Sequence, residues 1–594
     1  MHDRVEGDPS DRSPCKRHGY ILELAKPFVI ESVAQLVRRA LITSSRISVL
    51  RQFQAMRSWR RESLLLKRRY PRKPEILILG LALLAGGCLL GPNFQAPPAP
   101  VANQWIEEGN EAVNSALSEH RDWWTVFADP VLTRLVDIAY QQNLTLRTAG
   151  VRVLEARAQL GITIGEFYPQ QQLTNAAVTY NRLPISSPFN LIDNTYWQAT
   201  FGAQAGWEID IWGKLRRAIE SANYVFLASV ANYDDVQVTL TGDVASAYVQ
   251  IRTTERQIVI AQDNIERQRT ALKIARAKFQ YGTATKRDVY QAEAILGATE
   301  ATIPQLNIQL AQAKNALNVL LGMPPGQLDG LLAGPSAIPV APQQVAVGIP
   351  ADLLRRRPDI RRAELQAAAQ CAQIGFAKAD LFPTFSLVGN VGTVATDLNR
   401  ASLGNVFTAN SLVYSTGPAL QWNVLNYGQI TNNVRVQDAK FQELLIDYQN
   451  TVLKAQQEVE NGIAIFVHSR VQAEFLKQSV AAAEGALNIA MIQYRQGITD
   501  FTTVLTAEQN LYQAQNNLAL ATENIALGLI TTYRALGGGW EIRKDRDFVP
   551  ADTLQEMASR TNWGTLLTPD LLRPPVPGLP SPQDRGPLVR PPEW

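Results

Sequence analysis

Apolar residues recur at helical spacing in two stretches of the chain that carry the same pattern 215 positions apart. Ten positions between Ala271 and Leu296 correspond to ten between Ala486 and Leu511 with no gap. In each copy the apolar face stops at a glycine, at Gly282 or Gly497, and resumes within a few residues. A helical period that glycine interrupts in this way predicts a hairpin of two antiparallel helices with a tight turn at its tip.

The duplication extends beyond the hairpins, which predicts an internal two-fold repeat. Trp207 and Gly213 stand 215 positions before Trp422 and Gly428. Proline is absent from the stretch between Gly213 and Phe279 and from the stretch between Gly428 and Tyr494. Each stretch therefore predicts one continuous helix of about 100 Å.

Strict alternation of apolar and polar residues marks a strand from Tyr196 to Trp207. Three further segments alternate less sharply, at Leu173–Tyr180, Thr384–Gly392 and Leu412–Trp422, and Pro418 predicts a bulge or a strand end in the last of them. The strand length fits a membrane crossing, but a soluble sheet with one wet face has the same alternation. Four strands have open edges, which hydrocarbon does not tolerate. A membrane sheet of this kind therefore requires several chains.

The flanking segments give weaker signals. Asp129 is placed to cap a helix that has Pro130 at its first position, and helical periodicity continues from Leu132 through Leu160. The prolines that follow Cys88 predict an extended segment, and those beyond Trp540 predict a disordered tail.

A basic segment and a short apolar run, Ile76–Ala85, precede Gly86, Gly87 and Cys88. This order is typical of an export signal, and the small residues before the cysteine resemble a bacterial lipoprotein signal in which Cys88 is lipidated. The alternative is a plain export signal with a buried cysteine nearby. A start at Met56 would give the signal its conventional length, so we expect translation to begin there or nearby.

Charge and composition narrow the class of protein. Residues 1–87 carry 17 Lys/Arg against 8 Asp/Glu, so the remainder, with 40 against 46, is mildly acidic, which disfavours a nucleic-acid partner. Three cysteines and four histidines are too scattered for a metal site or a disulfide framework. No catalytic motif or cofactor-binding motif stands out. We expect neither an enzyme nor a cofactor.

Three motifs carry a family resemblance: Trp-Glu-Ile-Asp-Ile-Trp-Gly-Lys at 207–214, Leu-Leu-Gly-Met-Pro at 320–324 and Leu-Arg-Arg-Arg-Pro-Asp-Ile-Arg-Arg-Ala-Glu at 354–364. With the lipidation signal they resemble the TolC-like outer-membrane efflux proteins, in particular the NodT-type lipoprotein branch. The resemblance implies an α+β membrane protein. In it, three chains contribute four strands each to a twelve-strand barrel, which a long periplasmic helical barrel continues to a closed tip.

The resemblance also implies the location and the partners. We expect a homotrimer in the outer membrane, anchored by lipid and extending into the periplasm, that works with a periplasmic adaptor and an inner-membrane pump. The expected parts are an N-terminal extension with signal peptide (1–87), a lipid-anchored tether (88–122), efflux repeat 1 (123–322), a connector (323–350), efflux repeat 2 (351–540) and a disordered tail (541–594).

Candidate functional residues lie at the hairpin tips. Asp288 and Asp500 are the acidic residues best placed to form a charged ring at the periplasmic gate, since three-fold assembly would bring three copies of each together. They could equally cap the returning helices. Gly282 and Gly497 are expected to serve the turns, and the grooves around them to receive the helices of an adaptor.

Three functions fit this pattern. The first is the outer-membrane channel of a tripartite efflux system, a passive duct for small amphipathic compounds. The second is the outer-membrane duct of a type I protein secretion system. The third is a periplasmic adaptor lipoprotein, which would need β-rich modules around one hairpin, whereas this chain has two hairpins and four amphipathic strands.

Overall fold

The computed structural model describes residues 89–114, 121–183, 195–326, 328–334, 336–348, 350–352, 356–398, 401–543 and 546–567. All of them belong to one compact unit. The predictions made for residues 1–87, for Cys88 and for the tail beyond residue 567 lie outside these residues.

Eight helices and six strands are formed in the described residues. The helices are α1 (Pro130–Gln142), α2 (Leu144–Gly165), α3 (Lys214–Gln280), α4 (Lys286–Leu320), α5 (Pro358–Ala379), α6 (Gln429–Gln496), α7 (Phe501–Ala535) and α8 (Ala551–Arg560). The strands are β1 (Val113–Asn114), β2 (Gln171–Arg182), β3 (Thr195–Ile209), β4 (Val345–Ala346), β5 (Thr384–Thr396) and β6 (Leu412–Gln421). Single-turn 3₁₀ helices include Trp123–Phe127 and Trp540–Arg543.

The two long helices confirm the length that the absence of proline predicts. Helix α3 has 67 residues and α6 has 68, and each begins directly after a glycine with positive φ, Gly213 or Gly428. At 1.5 Å per residue, both are about 100 Å long. Each returns as a 35-residue helix, α4 or α7, so the chain folds into two long hairpins.

The internal repeat is visible in equivalent hydrogen bonds. The indole of Trp207 donates to the carbonyl oxygen of Phe167 at 3.1 Å, and the indole of Trp422 donates to that of Leu381, also at 3.1 Å. Trp207 lies near the end of β3, and Trp422 directly follows β6. Each acceptor lies in the loop that leads into the preceding strand, β2 or β5. The two halves therefore use the same contact to join sheet and helices.

The four long strands form one antiparallel sheet in the order β2-β3-β5-β6. Representative register pairs are Ala177 with Thr200, Phe201 with Thr393, and Leu387 with Pro418. The bulge or strand end predicted at Pro418 is wrong, because pairing continues on both sides of it without a change of register. Strand β6 is an edge strand in the chain, and an edge strand tolerates a proline that lacks an N–H.

The helix predicted from Leu132 through Leu160 is interrupted, and this expectation is corrected at Asn143. Asn143 ends α1, and its side-chain oxygen accepts from Leu146 N at 2.8 Å to cap α2. Its amide nitrogen donates to the carbonyl of Leu320 at 2.9 Å, the last residue of α4. One asparagine thus joins three helix ends, which the apolar periodicity alone does not reveal. The predicted cap at Asp129 is confirmed, since its Oδ1 accepts from Val131 N at 2.8 Å.

The tether and the connector are packed onto the body. In the tether, Trp105 is buried and donates to the carbonyl of Gly348 at 3.0 Å. Strand β1 of the tether pairs in parallel with β4 of the connector, and the connector residues Leu328 and Val345 belong to the main core. Residues 89–100 form no helix or strand, and the backbone bends at Gly91.

The expectation of a disordered tail from residue 541 is wrong for the described residues up to 567. Phe548 and Val549 are buried in the main core, and so is Met557 of α8. The backbone passes so close to α2 that a Cβ on Gly150 would lie 2.1 Å from the carbonyl oxygen of Phe548. Pro550, the one proline of residues 541–567, directly precedes α8, and the apolar residues of this segment provide enough burial to order it.

A buried ion pair fastens this C-terminal segment to α3. Arg543 donates from Nε and Nη2 to the two carboxylate oxygens of Asp234, at 2.7 and 3.0 Å, and both side chains are almost fully buried. The Arg543 guanidinium also lies over the ring of Phe548. Burial raises the pKa of Asp234 to about 6, although the charge of Arg543 opposes this shift.

We predict that Arg543→Met lowers the free energy of unfolding by about 3 to 5 kcal/mol, because it leaves the Asp234 charge buried without a partner. Arg546→Met is the matched control: Arg546 is exposed and lies over the ring of Tyr140, so its loss should cost about 1 kcal/mol or less. Denaturant titration followed by helical circular dichroism measures both. Equal losses in the two variants would contradict the role of the buried pair.

Candidate functional site

One face of the sheet is apolar and uncovered. The register places nine large apolar side chains on the same face of the four strands, and all are exposed. They are Val178, Tyr180, Trp197, Phe201, Leu387, Val391, Leu412, Tyr414 and Leu420. A soluble sheet with one wet face would bury its apolar face against a core. This sheet presents the apolar face outward instead, as a surface that contacts lipid does.

The opposite face of the sheet carries polar residues of β3, and both edges of the sheet are unpaired within the described part of the chain. Gln198, Thr200 and Gln204 of β3 point to the other face, so the alternation predicted from the sequence is present in the structure. Strands β2 and β6 each have a neighbour on one side only. Two rows of backbone N–H and C=O groups are therefore available for pairing outside the chain.

At the far end of the hairpins, both turns use the predicted glycines in the left-handed conformation. Gly282 has φ +72° and Gly497 has φ +78°. Thr283 N donates to the carbonyl of Lys278 at 2.8 Å, and Ile498 N donates to that of Gln493 at 2.9 Å. These are the six-to-one hydrogen bonds of a Schellman motif, which closes a helix and reverses the chain. Both glycines therefore lie in the turns, in a conformation that glycine adopts at little cost.

Asp288 and Asp500 both cap the returning helices, but from different positions. In the first hairpin Thr285 stands at the N-cap, and its hydroxyl and backbone N–H contact the carboxylate of Asp288 at 2.9 and 3.3 Å. In the second hairpin Asp500 stands at the N-cap and accepts from the backbone N–H and hydroxyl of Thr503 at 3.2 and 2.9 Å. The repeat offset aligns Thr285 with Asp500 and Asp288 with Thr503, so the two residue types have exchanged places.

This exchange makes the two carboxylates unequal candidates for a charged ring. Asp288 is buried, whereas Asp500 is exposed. A capping carboxylate at a helix N-terminus is favoured by the helix dipole whether or not it also faces a pore. The capping role is therefore present for both residues, and only Asp500 has a carboxylate that is accessible in the single chain.

The two hairpins pack together near their tips around a small apolar cluster, which we call the tip cluster. Its buried members are Ala271, Leu272, Ala275, Val289, Ala292, Leu487, Ala490, Tyr494, Phe501, Val504, Leu505 and Leu511. Polar contacts also cross between the hairpins. Asn264 donates to the side chain of Gln515 at 2.8 Å, and Arg267 approaches Glu484 at 3.4 Å.

A buried carboxylate without a partner lies beside this cluster, and sequence reasoning missed it. In the first hairpin Glu293 is partly exposed and pairs with Arg276 at 2.7 Å. The repeat offset aligns these residues with Glu508 and Met491, so the second hairpin keeps the acid and lacks the base. Glu508 is 3% exposed, and burial raises its pKa to about 7. Among the described residues it has no hydrogen bond or ion pair. The arginine-to-methionine difference between the repeats was the available signal.

Further polar atoms near the tips are buried without a hydrogen bond to any described residue. They are the hydroxyl of Tyr494 and the side-chain oxygens of Gln268 and Gln291. Burial, with a smaller contribution from the charge of Asp288, raises the pKa of Tyr494 to about 12. Each buried polar group without a hydrogen bond lowers the stability of the packing between the hairpins. The tip end is therefore held less firmly than its apolar contacts alone would suggest.

Arg357, the described arginine of the motif at 354–364 that is most deeply buried, has structural partners. Arg357 donates to the carbonyl of Ala535, the last residue of α7, and pairs with Asp359 at 2.7 Å and with Glu458 at 2.8 Å. No group of three or more metal-ligating side chains occurs in the described ranges. No described helix is both long enough and apolar enough to cross a membrane.

Comparisons with known proteins agree on one family. The sequence profile of the family described as "Outer membrane efflux protein" matches residues 135–323 and 349–538. Nodulation protein T of Rhizobium leguminosarum bv. trifolii is 29% identical, over 77% of this chain and 96% of its own length. The solvent efflux pump outer membrane protein SrpC of Pseudomonas putida is 30% identical, over 78% of this chain and 98% of its own.

A solved structure extends the similarity to the fold. The outer-membrane channel OprN superposes with a TM-score of 0.72 at 30% identity, over 76% of this chain and all of the OprN chain. The α+β fold with two long hairpins and a shared sheet, expected from the sequence, is therefore confirmed.

We predict that Glu508→Gln stabilises the protein at alkaline pH, because Glu508 is buried without a partner among the described residues. Because the folded-state pKa is about 7 and the ordinary value is 4.5, the folded protein holds a proton that the unfolded chain releases above pH 4.5. The burial of Glu508 therefore lowers the free energy of unfolding above pH 7 by at most about 3 kcal/mol. Below pH 4.5 this loss is absent. Glu508→Gln should therefore raise the melting temperature at pH 8, and the gain should largely disappear at pH 5.

Glu293→Gln is the matched control, because Glu293 occupies the equivalent position but is partly exposed and paired. It should show no gain at pH 8. A melting temperature of Glu508→Gln that is unchanged at pH 8, or raised equally at both pH values, would contradict the assignment.

Proposed function

Because the chain belongs to the outer membrane efflux protein family, we propose that it forms the outer-membrane exit channel of a tripartite efflux system. The family and the NodT-type branch expected from the motifs are confirmed. In this proposal the channel is passive, an inner-membrane pump supplies the energy, and a periplasmic adaptor joins pump and channel. Family and relatives are transport proteins and not enzymes.

The exposed apolar face of a sheet with two open edges carries this proposal. In hydrocarbon every backbone polar group must find a partner within protein, so an open edge cannot face lipid. Strand β6 of one copy can pair with β2 of the next, and three copies close a ring of twelve strands. A homotrimer satisfies both edges with no other component.

The helical part supports assembly from identical copies. Helix α6 exposes a series of large apolar residues that its own chain leaves uncovered: Val436, Ile446, Leu453, Ile465, Val471, Phe475, Ile489 and Ile492. Helix α6 has one apolar side that is buried in its own chain and a second that is exposed, so it needs a further neighbour to cover the second side. In the trimer the second neighbour is the first hairpin of the adjacent copy, which continues the barrel into the periplasm.

The hairpin tips are proposed as the gate and as the site where an adaptor docks. Tyr281, Tyr290 and Ile498 are exposed around Gly282 and Gly497 and offer apolar contacts to partner helices. The unsatisfied polar atoms near the tip cluster favour this end as the part that opens. In the closed trimer three copies of Asp500, and less directly of Asp288, form the acidic ring.

Cys88 is proposed as the lipidated residue that anchors each copy to the outer membrane. The described chain begins one residue later, at Leu89, beside the junction of sheet and helices. The name of SrpC, a solvent efflux pump component, supports small amphipathic compounds as cargo over the secretion of a protein. A periplasmic adaptor is disfavoured, because the family match covers both repeats.

Deletion of the gene tests the function. We expect the deletion strain to become several-fold more susceptible to hydrophobic solvents and amphipathic antibiotics, because their exit route is lost. The set of secreted proteins should remain unchanged. Complementation with the wild-type gene should restore resistance. Unchanged susceptibility together with the loss of one secreted protein would favour the type I secretion duct.

Asp500→Asn tests the acidic ring without removing the cap, because asparagine caps helices about as well as aspartate. We expect the purified trimer in planar bilayers to lose cation selectivity, since three charges leave the constriction. The control is Asp288→Asn, whose carboxylate is buried and should matter less. Unchanged selectivity in Asp500→Asn would reduce Asp500 to a helix cap.

A further inference from the structure

The residues that directly follow Cys88 do not form a free tether. We call Leu89–Asn93 the anchor segment. Leu90 N donates to the carbonyl of Trp212 at 3.2 Å, which attaches the segment to the start of α3. On the other side the sulfur of Cys371, on α5, lies 3.7 Å from the carbonyl oxygen of Pro92. The segment therefore lies in a groove between α3 and α5.

A single buried arginine binds the backbone of this segment. Arg217 is 1% exposed, and three of its contacts are to the anchor segment. They are Nε to the carbonyl of Leu90 at 2.9 Å, Nη2 to the carbonyl of Gly91 at 3.3 Å and Nη2 to Oδ1 of Asn93 at 2.9 Å. Nη1 pairs with Glu220 at 2.7 Å, so the charge of the arginine is neutralised inside the body. A planar guanidinium presents its donors as a fixed fork, which suits several acceptors held at once.

The groove accepts this backbone only because two glycines meet in it. A Cβ on Gly91 would lie 2.4 Å from the Cα of Gly375, and Gly91 has φ +91°. A Cβ on Gly375 would lie 2.5 Å from the carbonyl oxygen of Leu90 and 2.9 Å from Nε of Arg217. A side chain at either position therefore pushes the segment out of the groove.

The groove lies at the junction of sheet and helices, where aromatic residues collect. The indole of Trp212 donates to the carbonyl of Pro383 at 2.7 Å, directly before β5, and its ring packs on Phe382. Trp422 and Ile209 are exposed at the same ends of their strands. Tryptophan belts of this kind occur where protein crosses from lipid to water. Cys88 is one residue from Leu89, about 3.8 Å along the chain.

We propose that Arg217 is a positioning residue that clamps the anchor segment, so that the acyl chains on Cys88 enter the membrane at the level of the sheet–helix junction. The clamp couples the lipid anchor to the depth at which the sheet inserts. This inference rests on the proposed lipidation of Cys88 and the proposed membrane sheet. A flexible tether would tie the chain to the membrane equally well but would not set this depth.

Gly91→Ala tests the clamp from the side of the segment, and Gly375→Ala tests it from the side of the body. Gly109→Ala is the matched control, because a Cβ there meets nothing within 4 Å. Each is made with Ser402→Cys, an exposed position in the loop between β5 and β6. Intact cells are treated with a membrane-impermeant maleimide. Each variant also carries Cys371→Ala, because displacement of the segment would uncover the Cys371 thiol, which lies 3.7 Å from the carbonyl oxygen of Pro92. Mass spectrometry of the membrane fraction verifies that each variant is lipidated.

We expect Gly91→Ala and Gly375→Ala each to lower labelling of the loop several-fold, because a Cβ at either position displaces the segment, while Gly109→Ala leaves labelling unchanged. Adding Cys88→Ser to either glycine variant should lower labelling no further than the stronger single change, because anchor and clamp act through one route. If docking of the segment only stabilised the fold, the losses from the glycine variants and from Cys88→Ser would be independent and would multiply.

Two results would contradict the inference, and a third would contradict the proposed function. Full labelling in both glycine variants would show that docking of the segment is not required. Multiplying losses in the double variants would show that anchor and clamp act separately. Absence of loop labelling in the protein that carries Ser402→Cys without a glycine substitution would refute the proposed membrane sheet, so this outcome distinguishes a failure of the proposed function from a failure of the clamp. Circular dichroism of the purified variants verifies that the helices are intact.

Discussion

The constraint that governs this molecule is that backbone N–H and C=O groups must be paired wherever water is excluded. The sheet has two unpaired edges, on β2 and β6, and an apolar face that the rest of the chain leaves exposed. Neither feature is stable in a single soluble chain, and both are resolved when identical copies close a ring in lipid. The long hairpins follow from the same requirement, because each strand pair is continued by a helix that needs neighbours on two sides.

The two repeats share one pattern of helices and strands, and they differ in charged residues at the hairpin tips. At the junction the repeats agree, as the hydrogen bonds of Trp207 and Trp422 show. At the tips they differ: threonine and aspartate exchange capping positions, and the arginine that pairs with Glu293 becomes Met491 beside Glu508. In the proposed trimer six hairpins of two kinds alternate around the rim, so that the capping carboxylates and the buried acid alternate with them.

The sequence predicted most of the architecture because the signals were periodic and repeated. The 215-residue offset, the absence of proline in α3 and α6, and the alternation in β3 each correspond to an observed element. The errors came from single residues whose effect depends on distant partners. Asn143 breaks a periodic helix through the carbonyl of Leu320, Pro418 stays in register with Leu387 of β5, and residues 541–543 and 546–567 are ordered by burial on α2 and α3. The unpaired state of Glu508 likewise depends on packing between hairpins, which apolar spacing does not describe.

The claim on which this account depends is that one chain supplies a third of a closed wall. The mass of the mature protein extracted in mild detergent, measured by native mass spectrometry, tests it most directly. The account predicts particles of three chains that need detergent to stay in solution. A single chain that is dispersed in buffer without detergent, with its sheet intact, would contradict it.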